Sequence, residues 1–110
     1  MAENDMHVIM YRIMAYLYWC MREGVEPDPA QYRPGEGMRI PQSYWDAIVM
    51  ELIENGYVRR FVVTPTNSSV LISGDRPTVT LAGVQFLQEN SMMRKALGVL
   101  KAAKETIPFI

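Results

Sequence analysis

The chain has few of the side chains that carry out covalent or metal chemistry. Its 110 residues include one cysteine, Cys20, and one histidine, His7. Neither a Cys/His cluster of zinc-binding spacing, nor a glycine-rich phosphate loop, nor a nucleophile elbow is present. We expect His7 to be a capping or surface residue, and the apolar neighbours of Cys20 favour a packed, inert thiol. We therefore predict a protein that is not an enzyme and that uses no metal or cofactor.

Long apolar runs and an excess of one charge are also missing. The apolar stretch 8–21 is too short to span a bilayer and contains Arg12. The polar, acidic start of the chain does not resemble a signal peptide, and a lone cysteine is typical of a reducing compartment. Lys and Arg number 11 against 12 Asp and Glu, which is not the balance of a protein that binds phosphates over its whole surface. We expect a cytoplasmic protein without membrane contact.

Length and composition set the scale of the fold. Of the 110 residues, 49% are apolar and 21% charged, which is typical of one ordered globular domain with a core of modest size. No repeat and no low-complexity tract divides the chain. We predict a single α+β domain over residues 1–110, with an N-terminal helix at 1–23, a core at 40–90 and a C-terminal amphipathic helix at 91–108.

The chain is organised around residues 40–63, which predict one helix leading directly into one strand. Apolar side chains recur at helical spacing over 45–53, and Asn55-Gly56 ends the pattern. Residues 57–63 are rich in β-branched and aromatic types. A helix that leads into a hairpin is the core of a winged helix-turn-helix, and this is the fold that we predict.

The hairpin is predicted to consist of short strands. The first, at 57–64, should place Tyr57, Phe61 and Val63 on one side and Val58, Arg60 and Val62 on the other. A turn at 65–69 leads to a second strand at 70–72, and a bend at 73–77 precedes a short edge strand at 78–80. Thr80 then caps a helix that ends at Asn90 and whose apolar positions are Leu81, Val84, Phe86 and Leu87.

The N-terminal helix is predicted to be apolar on two sides. Asn4 or Asp5 should cap it, and Gly24 followed by Pro27 should end it. One side, formed by Ile9, Ile13, Leu17 and Cys20, should enter the core. The opposite side needs a second partner, either the C-terminal helix of the same subunit or a second subunit, and its aromatic residues favour a dimer. The predicted dimer interface comprises Tyr11, Ala15, Tyr18, Trp19, Met93, Leu97, Leu100 and Ile107.

The segment 26–39 is expected to hold no long helix, because it contains three prolines and two glycines. A short helical turn at 29–32, capped by Asp28, is the expected middle helix of the winged helix. The next helix should begin after Pro41, with Ile40 packed on Trp45. Its outward positions are predicted to be Gln42, Ser43, Asp46, Met50, Glu51 and Glu54.

The charges in this core do not decide between DNA and a protein as the partner. Four arginines between residues 39 and 76 are balanced by four carboxylates, three of them on the helix that would face a DNA groove. We predict base or phosphate contacts from Gln42 and Ser43 and phosphate contacts from Arg39, Arg59, Arg60 and Arg76. Alternatively, Arg59 and Arg60 are solvated charges that protect a strand edge.

From about Ile40 onward, and most specifically in its last third, the chain resembles the YjcQ-like proteins of bacteria and their phages. The matches are Gly56-Tyr57-Val58, then the run from Thr80 to Ala96 that reads TLAGVQFLQENSMMRKA, then Thr106-Ile107-Pro108. The resemblance implies a winged-helix fold and an association with phage or prophage genomes. The turn that begins at Thr80 is also similar to the LTxxG turn of MarR-type repressors, whose outer helices pair into dimers.

From these observations we predict a winged-helix protein that binds double-stranded DNA as a phage- or prophage-type transcriptional regulator in the cytoplasm of a bacterial host cell. The alternative is a non-enzymatic adaptor that uses the same scaffold to bind a protein partner. The acidic residues along the central helix are the sequence feature that favours the alternative.

Overall fold

The computed structural model describes residues 4–91, which form a mixed α+β fold. Over this range four helices pack with one two-stranded antiparallel sheet. The elements are α1 (Met6–Glu23), α2 (Pro29–Tyr32), α3 (Gln42–Glu54), β1 (Val58–Pro65), β2 (Val70–Val79) and α4 (Leu81–Glu89). The predicted C-terminal helix, with Met93, Leu97, Leu100 and Ile107, lies outside the described residues.

The helix α1 forms the centre of the core and contacts α2, α3, α4 and β2. It ends as predicted at Gly24, whose φ of 69° is left-handed and whose N–H donates to Cys20 O. The predicted core face is confirmed, since Ile9, Ile13, Leu17 and Cys20 are all buried. On the opposite face Val8, Tyr11 and Ala15 are buried as well.

That burial corrects part of the predicted dimer interface. Tyr11 and Ala15 are 2% and 0% exposed within the single chain, so they have no surface to offer a second subunit. Contacts within the same protomer bury this part of the helix surface. Tyr18 and Trp19 are only partly buried against the core, so of the predicted interface residues on α1 they are the two that a partner could reach.

Side-chain contacts to backbone atoms hold the segment between α1 and α3. The helix α2 forms where it was predicted, with the Asp28 carboxylate accepting from Ala30 N–H at 3.1 Å. The Tyr16 hydroxyl accepts from Asp28 N–H at 2.9 Å, and the Arg12 guanidinium donates to Gly37 O. A segment too rich in proline and glycine to form a long helix is therefore tied to α1 at two points.

The helix α3 begins after Pro41 and ends at Asn55, as predicted. Trp45 is fully buried, and its indole N–H donates to Tyr32 O at 2.7 Å. Two positions predicted to face outward do not. Asp46 is only 9% exposed and accepts a hydrogen bond from Gln42, and Met50 is partly buried against the core. The inward stripe of α3 is therefore wider than the helical pattern alone indicates.

The strands β1 and β2 form one long hairpin with an irregular bulge. Arg59 pairs with Thr78 and Phe61 pairs with Gly74, which leaves Arg60 opposite three residues of β2. Arg60 and Arg76 both adopt left-handed conformations, with φ of 73° and 56°. The prediction of a bend at 73–77 that separates two short strands was therefore wrong, because the bulge lets β2 continue through it from Val70 to Val79.

The bulge also corrects the predicted faces of β1. Simple alternation places Val58 and Phe61 on opposite sides of the strand. In the structure Val58 is buried, Phe61 and Val63 are partly buried, and Val62 is 56% exposed. Arg60 adopts a left-handed conformation, which interrupts the extended backbone of β1. The side-chain alternation therefore shifts by one position at that point, and Val58 and Phe61 turn to the same side.

The helix α4 closes the described fold against the start of β1. The Thr80 hydroxyl caps it by accepting from Gly83 N–H at 3.2 Å, as predicted, and donates to Gly56 O at 2.5 Å. Phe86 and Leu87 are buried, but Leu81 is 74% exposed, so its assignment to the apolar face was wrong. At the first position of the helix, Leu81 lies beyond the edge of the surface that α4 buries.

Candidate nucleic-acid interface

The N-terminal end of α3 and the tip of the hairpin lie at the same end of the domain. β1 starts just after α3 ends, and the Phe61 ring contacts the Trp45 indole with ring centroids 6.4 Å apart. Trp45 lies in the first turn of α3, so β1 runs back along the helix toward its beginning. Four further residues carry the strand about 13 Å past that contact. The hairpin tip therefore projects beyond the start of α3, an arrangement that is compatible with a winged helix.

The start of α3 presents polar groups suited to phosphates or bases. Arg39, Gln42 and Ser43 are all exposed, and Gln42 and Ser43 are the first two residues of the helix. The first N–H groups of an α-helix carry partial positive charge and favour anions. The three residues are therefore open to a ligand at this end of α3, and their contact with DNA stays a prediction.

The hairpin tip is polar and carries no charge. Thr66 and Ser69 close it, with Thr66 N–H donating to Ser69 O at 2.9 Å and Ser69 N–H donating to Thr66 Oγ1 at 3.0 Å. Asn67 and Ser68 stand exposed between them. No residue of the run 61–74 is charged, so the tip offers hydrogen bonds without repelling phosphate.

The carboxylates of α3 are largely kept away from this end. Asp46 is buried against Gln42. Glu51 and Glu54 are exposed, but Glu51 lies eight residues beyond Ser43, or about 12 Å along the helix axis. The exposed carboxylate nearest in sequence is Glu36, in the tight turn between Gly35 and Met38. Of the three acids that count against DNA binding in the sequence, the two exposed ones therefore lie away from the start of α3, and the third is buried there.

The four arginines predicted to contact phosphates come from two parts of the chain. Arg39 precedes α3, whereas Arg59, Arg60 and Arg76 lie at the bulge near the base of the hairpin. Arg60 is engaged there: its Nε donates to Asp75 O at 2.9 Å, and its guanidinium lies 3.8 Å from the Asp75 carboxylate. Both side chains are more than half exposed, so the ion pair itself adds little stability.

Arg76 lines a cleft on another part of the described chain. The cleft, about 220 Å³ in volume, lies between the end of α1 and β2, and its walls include Cys20, Met21, Val25 and Pro77. Burial raises the pKa of the Cys20 thiol, which lowers its thiolate content at neutral pH and makes it a poor nucleophile. Within residues 4–91, no cluster of His, Cys, Asp and Glu could hold a metal ion.

The outer face of the hairpin carries two exposed apolar side chains. Val62 and Leu71 are 56% and 59% exposed. Val62 pairs with Ser73, so Leu71 is its diagonal neighbour across the two strands. Small apolar patches of this kind are more typical of protein contacts than of phosphate contacts.

Two arrangements at this site were missed in the sequence. Arg33 donates to Ile72 O at 2.6 Å, and its guanidinium lies 4.5 Å from the Trp45 ring, so it joins the hairpin to α3. Gln42 donates to Asp46 at 2.9 Å. No pattern in the sequence marks Arg33, because its partners lie 12 and 39 residues away. The spacing of four between Gln42 and Asp46 on a helix was a usable signal.

A known protein family matches most of the chain. The sequence model of the YjcQ protein family matches residues 11–106, which takes in most of α1 and every later element of the described fold. The chain belongs to the YjcQ protein family. The resemblance seen in the last third of the sequence is thereby confirmed. No curated protein and no solved structure gives a significant match. None of the helices described between residues 4 and 91 has the length and apolar character needed to cross a membrane.

Proposed function

We propose that this YjcQ family member is a winged-helix protein that binds double-stranded DNA, acts as a transcriptional regulator of phage or prophage type and catalyses no reaction. The observation that carries the proposal is the contact between Trp45 and Phe61. It holds the hairpin so that its uncharged tip and the start of α3 point the same way. The N-terminal end of α3 would enter a groove of the DNA, and the hairpin tip would contact the adjacent sugar–phosphate backbone.

The residues assigned to DNA follow from that geometry. Gln42 and Ser43 face the groove, Arg39 contacts a phosphate, and Asn67 and Ser68 contact the sugar–phosphate backbone from the tip. Arg59, Arg60 and Arg76 lie at the bulge, at the base of the hairpin, and contact phosphates that flank the groove. With few basic residues at the contact, affinity is expected to be weak to moderate for one subunit.

A labelled pool of random duplexes, incubated with the full chain at increasing salt, tests the proposal. Retention should fall steeply between about 50 mM and 200 mM salt, because binding releases counterions from the phosphates. Arg39→Gln should weaken retention and reduce the salt slope by about 1. Arg59→Gln is the matched control, with the same charge change at the hairpin base, and should have the smaller effect. Absence of salt-sensitive retention at low salt would rule out the proposal.

A homodimer is part of the proposal, since two weak half-sites joined by symmetry bind DNA more tightly than one. Within the described residues, the dimer interface would include Tyr18 and Trp19, which are partly exposed on α1. Sedimentation should show a dimer at high micromolar concentration, and Trp19→Ala should shift it toward monomer. A wild-type monomer under these conditions would exclude the dimer.

The second candidate is a protein-interaction adaptor, favoured by the exposed pair Val62 and Leu71. If a protein partner binds this face, changing both residues to serine should abolish capture of one stoichiometric partner and leave duplex retention unchanged. If the same double variant leaves capture intact, the partner does not bind here.

A further inference from the structure

The first residue of α3 has its side chain held by the residue one turn later. Gln42 is exposed, and its Nε2 donates to Asp46 Oδ1 at 2.9 Å. Asp46 is only 9% exposed and so does not itself project from the surface. A carboxylate only accepts hydrogen bonds, so the amide must turn its nitrogen, and not its oxygen, toward Asp46. The orientation of the Gln42 amide is therefore determined by its partner.

The Gln42 amide keeps one N–H donor and its carbonyl acceptor, which lie on neighbouring atoms. One of its two N–H bonds is used by Asp46, and the second N–H and the carbonyl oxygen remain available. In the major groove, adenine presents an N7 acceptor next to an N6 amine donor, and a glutamine amide matches that pair in two hydrogen bonds. Guanine presents two acceptors there, and thymine and cytosine each present a single hydrogen-bonding group, so none of them offers this pairing.

Holding the side chain in advance should sharpen the choice of base. A free glutamine can turn its amide over and loses rotamer entropy when it is ordered against a base. The hydrogen bond to Asp46 removes one of the two amide orientations and part of that entropy loss before DNA arrives.

We propose that Gln42 reads one adenine in the major groove and that Asp46 is the positioning residue that orients its amide. The inference rests on the proposed DNA binding and names the base that the α3 end would recognise. A simpler role for the pair is helix stabilisation, since glutamine and aspartate four residues apart support any helix. The two roles differ in one measurable property, the base preference at a single position of the bound site.

The test is selection of bound duplexes from a random pool by the full chain at low salt, followed by sequencing. Wild type should enrich adenine at one position by about ten-fold over the other bases. Gln42→Ala should reduce that enrichment to within about two-fold among the duplexes that the variant still retains. Asp46→Ala should do the same, and Asp46→Glu, which restores an acceptor-only partner, should recover most of the preference.

A charge control completes the design. Glu51→Gln removes one carboxylate from α3 without touching Gln42, and it should raise overall retention without changing the base preference. The inference is overturned if retained duplexes show no adenine-enriched position, or if Asp46→Ala and Glu51→Gln alter the preference equally. If no duplex is retained at all, both this inference and the proposed function are wrong. If duplexes are retained without an adenine-enriched position, only this inference is wrong. Thermal melting of each variant confirms that the fold is kept.

Discussion

The rings of Trp45 and Phe61 meet edge to face, with an interplanar angle of 70° and centroids 6.4 Å apart. Trp45 belongs to the first turn of α3 and Phe61 to the middle of β1, so this contact joins the helix to the hairpin. Arg33 lies against the same indole and binds the backbone of β2. The direction of the hairpin tip thus depends on three side chains from three parts of the chain.

Replacing Phe61 with alanine should destabilise the fold and loosen the hairpin. The ring contacts Trp45 and Tyr32, and deleting a partly buried aromatic should lower the free energy of unfolding by about 2–3 kcal/mol, below the range for a fully buried ring. Val62→Ala, on the neighbouring exposed residue, should change it by less than about 0.5 kcal/mol. Urea denaturation measures both variants. Equal losses would contradict the side-chain alternation that the bulge imposes.

Replacing Arg76 with glycine should be neutral or stabilising, although it removes a long side chain from a strand. An L-residue in the left-handed region at φ 56° costs about 1–2 kcal/mol, and glycine relieves this at the expense of a more flexible unfolded chain. Arg59→Gly is the control, because Arg59 lies in the regularly paired part of β1 and should lose about 0.5–1 kcal/mol. The difference between the two in thermal denaturation is the readout. Should Arg76→Gly prove the more destabilising change, the conformation assigned to Arg76 is wrong.

Gly83 should not tolerate alanine, even though alanine is the better helix former. A Cβ at this position would lie 2.5 Å from Tyr57 O and 2.5 Å from Val79 Cγ1, where helix α4 approaches the start of β1. We expect a loss of about 1–3 kcal/mol in unfolding free energy from overpacking. Gln85→Ala, at an exposed position of the same helix, should have almost no effect. If Gly83→Ala instead stabilises the protein, α4 does not pack this closely.

Stability should fall at high pH because of Tyr16. Burial raises the pKa of its hydroxyl from 10.0 to about 12. Since the folded-state pKa lies above the unfolded-state value, the contribution of the neutral hydroxyl is fully present below pH 10 and is lost as the pH rises through about 12. Urea denaturation between pH 9 and 12 should show a shallower decline in Tyr16→Phe than in wild type. Parallel declines in the two proteins would show that Tyr16 is not responsible.

The local signals in the sequence predicted the elements well. Gly24 ends α1, Asp28 caps α2 and Thr80 caps α4, all at the expected residues. Each of these effects depends on neighbours within about four positions, so the order of residues is enough to identify it. The same holds for the start of α3 at its proline. The family was also evident from contiguous motifs, because a run such as Thr80 to Ala96 can be compared directly.

The candidate site could be predicted only in part. Gln42, Ser43 and Arg39 were placed at the start of α3 from the helical pattern alone. Their relation to the hairpin tip was not predictable, because it depends on Trp45 and Phe61, sixteen residues apart. That the arginines at the hairpin base contact phosphates as well stays a prediction, because the sequence does not show how far β1 carries the tip from its base.

The sequence by itself thus determined where the helices and the hairpin form, which follows from side-chain periodicity, caps and turn residues acting over a few positions. Only the tertiary structure decided where burial departs from that periodicity. The left-handed Arg60 shifts the alternation of β1, packing inside the protomer buries Tyr11 and Ala15, and Asp46 is buried where it accepts a hydrogen bond from Gln42. The physical reason is that burial, bulges and the meeting of distant side chains are settled by packing between elements, which local periodicity does not record.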